Sequence, residues 1–83
     1  MAYKYHPTVV ESGNATLVAG TVTVTSAKVA ADSIILVTAQ SGGANLGSVS
    51  VSTRTANTSF VIVSSNVLDT RVVDYIIFEP LVP

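Results

Sequence analysis

The feature that most limits what this chain can fold into is a period of two. Thr21-Val22-Thr23-Val24-Thr25 and Ser48-Val49-Ser50-Val51-Ser52 alternate hydroxyl with valine. On a pleated strand this sets every valine on one face and every hydroxyl on the other, the pattern of an antiparallel strand with one side in the core and one in water. The β-branched residues that fill these segments are stiff at χ1 and disfavour helix. Ile34 to Gln40, Ser59 to Ser64 and Val72 to Glu79 are denser and partly apolar on both faces, as expected of strands covered on two sides. Turn signals stand at Gly13-Asn14, Ser41-Gly42-Gly43, Ala44-Asn45, Ala56-Asn57-Thr58 and Ser65-Asn66. Ser26 to Ala31 suits a helical turn, a loop or a short edge strand. Thr21–Thr25 with Ser33–Val37 is echoed by Ser48–Ser52 with Ser59–Val63, either as two similar hairpins facing each other or as a coincidence of low-complexity sequence. The expected fold is all-β: a small antiparallel β-sandwich, jelly-roll-like, with an extended N-terminal arm.

Composition narrows the function classes. At 83 residues there is room for one domain, and with 48% apolar residues and a mean hydropathy of +0.57 the chain is too hydrophobic for intrinsic disorder. Four basic and five acidic residues give a net charge of −1, which leaves no basic surface to track phosphates and makes nucleic acid an unsuitable partner. The start has no apolar signal-peptide core, and the apolar runs are far shorter than the ~18 residues of a membrane helix, so no membrane partner is expected. Cysteine is absent. With neither disulfide nor metal to support a small core, self-association is the expected support.

The ends differ from the middle. Residues 1–13 carry Tyr3, Tyr5, the only histidine, His6, and Pro7, and read as an arm; residues 14–83 read as the single sandwich domain. Pro7 biases His6 toward extended conformations, so the arm is suited to running over another surface. Pro80-Leu81-Val82-Pro83 forms a short apolar tail. Tyr3, Tyr5, His6, Leu81 and Val82 are the candidate contacts to a partner shell or a neighbouring subunit. None of the usual catalytic or ligand-binding patterns is complete. A nucleophile–base–acid triad would have to be built around His6, whose ordinary role in such an arm is a surface or interface histidine. Glu11, Asp32, Asp69, Asp74 and Glu79 are dispersed, and the odd separation of Asp74 and Glu79 puts them on opposite faces of one strand, against a glycosidase pair. Asp69, beside a turn, is expected to cap backbone donors. Asp74 interrupts an apolar strand and is expected either beside Arg54 or Arg71 or at a subunit boundary. The glycines of Ser41–Gly47 fit no phosphate-binding loop, and no cluster of metal ligands or cofactor motif is found, so neither metal nor cofactor is expected. No enzymatic activity is expected.

Thr16-Leu17-Val18-Ala19-Gly20-Thr21-Val22-Thr23-Val24, Gly43-Ala44-Asn45-Leu46-Gly47-Ser48-Val49-Ser50-Val51, Thr55-Ala56-Asn57-Thr58-Ser59-Phe60 and Asp69-Thr70, followed by Val73 through Pro80, occur in an order that resembles a small β-module of tailed-phage and prophage virion proteins. The resemblance runs from Ala15 to Pro80. It implies a compact jelly-roll-like sandwich, often a homotrimer, that ends fibre or spike proteins or stands alone on the capsid. Asn57 occupies a position where the module usually has glycine, which asparagine can replace because it enters the left-handed conformation readily. Because the module makes up nearly the whole sequence, with only a short segment before it, the resemblance points first to a capsid decoration (cement) protein. Such a protein would bind the major capsid protein on the outer capsid surface of the virion and stabilise the shell without catalysis. The alternative is a receptor- or glycan-binding tip module of a phage tail or head fibre, using the Ser41–Gly47 loop and the Tyr75 region.

Overall fold

The computed structural model describes residues 9–30, 33–41 and 45–78. Six strands form: β1 (Val9–Thr16), β2 (Thr21–Thr25), β3 (Ile34–Ala39), β4 (Val49–Thr55), β5 (Ser59–Ser64) and β6 (Val72–Phe78). They build two three-stranded antiparallel sheets, ordered β1-β6-β3 (sheet A) and β2-β5-β4 (sheet B), so the all-β sandwich expected from the alternation is the fold observed. The densest apolar segments, β5 and β6, are the two central strands. Consecutive strands change sheet at every connection except the β4–β5 hairpin.

The period of two sorts side chains as the sequence implies. Val73, Tyr75 and Ile77 of β6 and Ile35 of β3 face Val24 of β2 and Phe60 and Ile62 of β5, all buried. Leu17 and Val29, from the connections, close the ends of this core without exposure. Phe60 and Tyr75 meet edge-on across the two sheets, with ring centroids 5.2 Å apart and planes at 75°, a contact worth about 0.5–1.5 kcal/mol beyond the area it buries.

Two local expectations are corrected. Gly13-Asn14 is no turn: both residues lie inside β1, paired with Tyr75 and Asp74. Glycine is needed at 13 because the Tyr75 phenol crosses it, and a Cβ there would stand 2.8 Å from the phenolic oxygen. Thr21–Thr25 and Ser33–Val37 do not form a hairpin, since β2 pairs with β5 and β3 with β6. Between these strands Val29, Ser26 and Ser33 are buried. Residues 26–30 form a loop, tied to the β4–β5 turn by Asn57 N–H to Val29 O (2.8 Å) and Ser26 N–H to Thr58 O (2.9 Å). A further turn, not among those expected, joins the sheets: Val18–Thr21 closes on itself with Ala19 and Gly20 both at positive φ (54° and 79°), and it swings the chain from sheet A to sheet B. Asn57, by contrast, takes the left-handed conformation (φ 59°) expected of it at the β4–β5 turn.

The expected division between arm and domain at residue 13 falls within β1. Val9, Glu11, Ser12 and Gly13 are already paired with β6, with an irregularity between Val9 and Glu11. The remainder of the arm, residues 1–8, lies outside the described residues, as does the tail 79–83.

Candidate functional site

The outer faces of the two sheets follow from the same alternation but carry different chemistry. On sheet B the outward residues are hydroxyls at both edges: Thr21, Thr23 and Thr25 of β2, and Ser50, Thr53 and Thr55 of β4, flanking half-buried Val61 and Val63 of β5. On sheet A the outward rows are Val9, Phe78 and Ile34, then Ser12, Ile76 and Leu36, then Asn14, Asp74 and Thr38. Leu36 is 56% exposed, Val9 51%, Ile34 40% and Ile76 37%, so the strands that read as apolar on both sides leave one side uncovered.

A groove of about 390 Å³ opens in this face, lined by Leu36, Val37, Thr38, Asp74 and Ile76. Its walls are apolar and one end carries a carboxylate. Neither arginine proposed for Asp74 is its partner: Arg71 pairs with Asp69, Arg54 Nε–H donates to Ser33 O (3.1 Å), and Asp74 Oδ1 instead accepts from Gln40 Nε2 (3.1 Å). Gln40 lies just past β3, the neighbour of β6, which brings it to Asp74 across the sheet.

Two buried polar nodes fix the framework around these faces. Asp69 is fully buried, and its carboxylate accepts hydrogen bonds from Ser64 Oγ (2.8 Å), Gly47 N–H (3.2 Å), Arg71 N–H (3.1 Å) and the Arg71 guanidinium (2.7 Å at the closest). The guanidinium also donates to Gly47 O. Hydrogen bonding to Arg71 holds the Asp69 carboxyl well below the usual carboxylate range, against the opposing effect of burial. The capping role expected of Asp69 is thus present, with the addition of an ion pair. The node ties the approach to β4, the end of β5 and the approach to β6, so it sets one sheet against the other. At the opposite end Ser26 Oγ donates to Glu11, and Glu11 stands near the Tyr75 phenol. Burial first, then the Glu11 charge, pushes the Tyr75 hydroxyl above its ordinary pKa.

The contact residues expected from sequence, Tyr3, Tyr5, His6, Leu81 and Val82, all lie outside the described residues. Tyr75, expected to help form a ligand-binding region, faces inward and is 8% exposed, because the core parity of β6 includes it. Residues 42–44 of the Ser41–Gly47 loop are likewise outside the described residues. The sheet A groove was not singled out by sequence; its signal was the two-sided apolar pattern of β3 and β6, which marks a face but not its shape. Among the described residues no group of three or more His, Cys, Asp or Glu side chains converges as metal ligands, and no helix is long and apolar enough to cross a membrane.

A family model, that of the C-terminal domain of K1 capsule-specific polysaccharide lyase, matches residues 10–78. The chain belongs to this family. The matched span runs from β1 to the end of β6, so it takes in both sheets and both polar nodes. The match agrees with the resemblance to a small virion β-module, and nothing in it is specific to capsid decoration. No curated protein matches the chain.

Proposed function

We propose that the chain is a non-catalytic binding module of a phage tail or head fibre or spike, one that holds a polysaccharide-coated cell surface. The observation that carries this reading is membership, over residues 10–78, of a family described as the C-terminal domain of a capsule-specific polysaccharide lyase. That description favours the fibre-tip alternative over the capsid cement protein, whose partner would be the major capsid protein. A binding role fits the geometry: among the described residues Asp69 is paired with Arg71, half-buried Glu11 accepts from Ser26 Oγ, and Asp74 is the single carboxylate lining the groove of sheet A. A sugar presents many hydroxyls, each able to donate and accept. The surface that fits it is the outer face of sheet B, where threonine and serine hydroxyls offer the same two capacities along two strands. In this reading the module is a homotrimer within the virion, so that weak contacts at identical faces act together through effective concentration.

The test is adsorption. Purified protein should coat encapsulated host cells, release on addition of soluble capsular polysaccharide, and leave undecorated capsids bare. Coating of capsids, with cells left untouched, would return the function to capsid decoration.

A further inference from the structure

We infer that one end of the sandwich, formed by the β1–β2, β3–β4 and β5–β6 connections, is a lipid-contacting tip whose Val18, Leu46, Val67 and Leu68 enter the interfacial layer of a bilayer. The inference stands independently of the glycan reading of sheet B.

Among the described residues the exposed large apolar side chains fall into two groups. Val9, Ile34, Leu36 and Ile76 belong to the outer face of sheet A; Val18, Leu46, Val67 and Leu68, each more than half exposed, belong to the three connections. Those connections touch one another. A Cβ on Gly20 would stand 2.9 Å from Val67 Cα, and one on Gly47 would stand 2.7 Å from Asn66 N, so the two glycines let the β1–β2 and β3–β4 connections close on the β5–β6 one. The four apolar side chains therefore share one end. The opposite end is finished otherwise: its loops expose Ala27, Lys28, Ala56, Asn57 and Thr58. Val9 pairs with Phe78 there, so both ends of the described chain lie away from the tip.

Three properties select lipid as the partner. The first is the backbone. A loop in water can leave its amides to solvent, but in an apolar layer each unbonded one is costly, so a segment that enters must bond them internally. Here Val18 N–H donates to Thr21 O (2.9 Å), Gly20 N–H to Asp69 O (3.1 Å), Gly47 N–H to the Asp69 carboxylate (3.2 Å), Leu68 N–H to Asn66 Oδ1 (2.9 Å) and Asp69 N–H to Asn66 O (3.0 Å). The second is charge. The three connections hold two charged side chains, Asp69 and Arg71, and these are paired with each other, so no free charge has to shed its water. The third is area. Four such side chains present on the order of 400 Å², about half of the ~800 Å² that each partner of a stable protein interface contributes. An interfacial layer sets no such threshold and no shape to match, since binding there scales with the apolar area it covers. Asp74, two residues into β6 on the outer face of sheet A, keeps the insertion shallow. The expectation of no membrane partner rests on apolar runs too short to span a bilayer. This contact needs no span; it gathers four residues from three connections.

The chain has no cysteine, so a single one can carry a dye. Full-length Leu68→Cys, Leu36→Cys and Thr23→Cys proteins, each bearing a nitrobenzoxadiazole label, are mixed with phosphatidylcholine vesicles. The expected result is an emission rise of at least about threefold with a blue shift at position 68, unchanged in about 0.5 M salt, and no response at positions 36 and 23. Unlabelled protein should float with the vesicles, and Val67→Ser/Leu68→Ser protein should float at least about fivefold less while keeping the circular dichroism of the parent. A response at position 36 equal to that at 68 would turn sheet A to the bilayer. A response at 68 that grows with protein concentration in the absence of vesicles would make the cover a second copy. No response, or flotation of the serine variant equal to the parent's, would leave the tip without a lipid partner. Each of these overturns the inference. Should Leu68→Cys fail to fold, Val67→Cys puts the same question with the same outcomes.

Discussion

Sheets A and B are built by one rule and finished differently. Both have three antiparallel strands with a central member dense in apolar residues, and both bury alternate residues against the other. Outside, sheet B sets hydroxyls beside half-buried Val61 and Val63, whereas sheet A sets Ile34, Leu36 and Ile76 in the open. A hydroxyl face stays comfortably in water or exchanges its water for another hydroxylated surface. An apolar face of this kind gains free energy, about 25 cal/mol per Å² covered, only when something apolar lies on it. The difference suits the two sides of one small sandwich to different surfaces: B fits the hydroxylated surface proposed for it, and A fits an apolar one.

The sharpest way to break the comparison is to remove the node that holds the two sheets in register. Asp69→Ala leaves the half-buried Arg71 without its partner and strips an acceptor from Gly47 N–H and Ser64 Oγ. Loss of one member of a buried pair is strongly destabilising, and Tm should fall on the order of 15 °C, with both faces lost in a single transition by differential scanning fluorimetry and circular dichroism. Gly20→Ala comes next. At φ +79° an added Cβ would lie 2.6 Å from Asn66 O, and the turn that carries the chain from sheet A to sheet B should lose about 2 kcal/mol in urea unfolding.

The same node gives a pH signature. Because the folded carboxyl of Asp69 lies below its ordinary value near 3.8, its contribution is present above that pH and drains away as the pH falls further; Asp69→Asn should lack this acid limb even though it is less stable at neutral pH. Tyr75 acts in the opposite direction. Its raised pKa means that the neutral phenol is the form the fold favours, so stability holds below the ordinary value of 10.0 and declines as the pH rises past it. Tyr75→Phe should flatten that alkaline decline, read from Tm between pH 9 and 11.

The smallest effects on stability separate the faces most cleanly. Leu36→Asp and Thr23→Val change exposed positions and should each alter unfolding free energy by no more than about 0.5 kcal/mol. Leu36→Asp should abolish self-association measured by light scattering and spare adsorption per copy. Thr23→Val should weaken adsorption to encapsulated cells and spare association. If both variants lose the same property, the faces are not functionally distinct.

Much of this was legible in the sequence because a period of two survives any arrangement of strands. Val22 and Val24 are recognisable as a one-sided set before pairing is known, whereas β5 and β6 are apolar at both parities, and only the packing of the sheets selects Phe60 and Ile62, and Val73, Tyr75 and Ile77, as the core sets. Pairing itself is a long-range property, and nothing in Thr21–Thr25 says that its partner is β5 rather than the next strand along. Gly13 misled for a related reason: the side chain that requires a glycine there, Tyr75, is distant in sequence and meets it only when β1 and β6 pair. Asp69 was readable as a cap because Asp beside a turn has a local reason to bond backbone, while its burial and its ion pair with Arg71 depend on where β4 begins. The groove was the least legible feature, since Asp74 and Thr38 share it only through the register of β3 on β6.

The measurement that bears most directly on the division of labour between the faces is a ¹H–¹⁵N correlation spectrum of the protein titrated with soluble capsular polysaccharide from an adsorbing host. Progressive shifts are expected on Thr21, Thr23, Ser50, Thr53 and their neighbours on sheet B, with Leu36, Asp74 and Ile76 unmoved. Shifts concentrated on the sheet A groove, or no shifts at polysaccharide concentrations that release the protein from cells, would contradict that division.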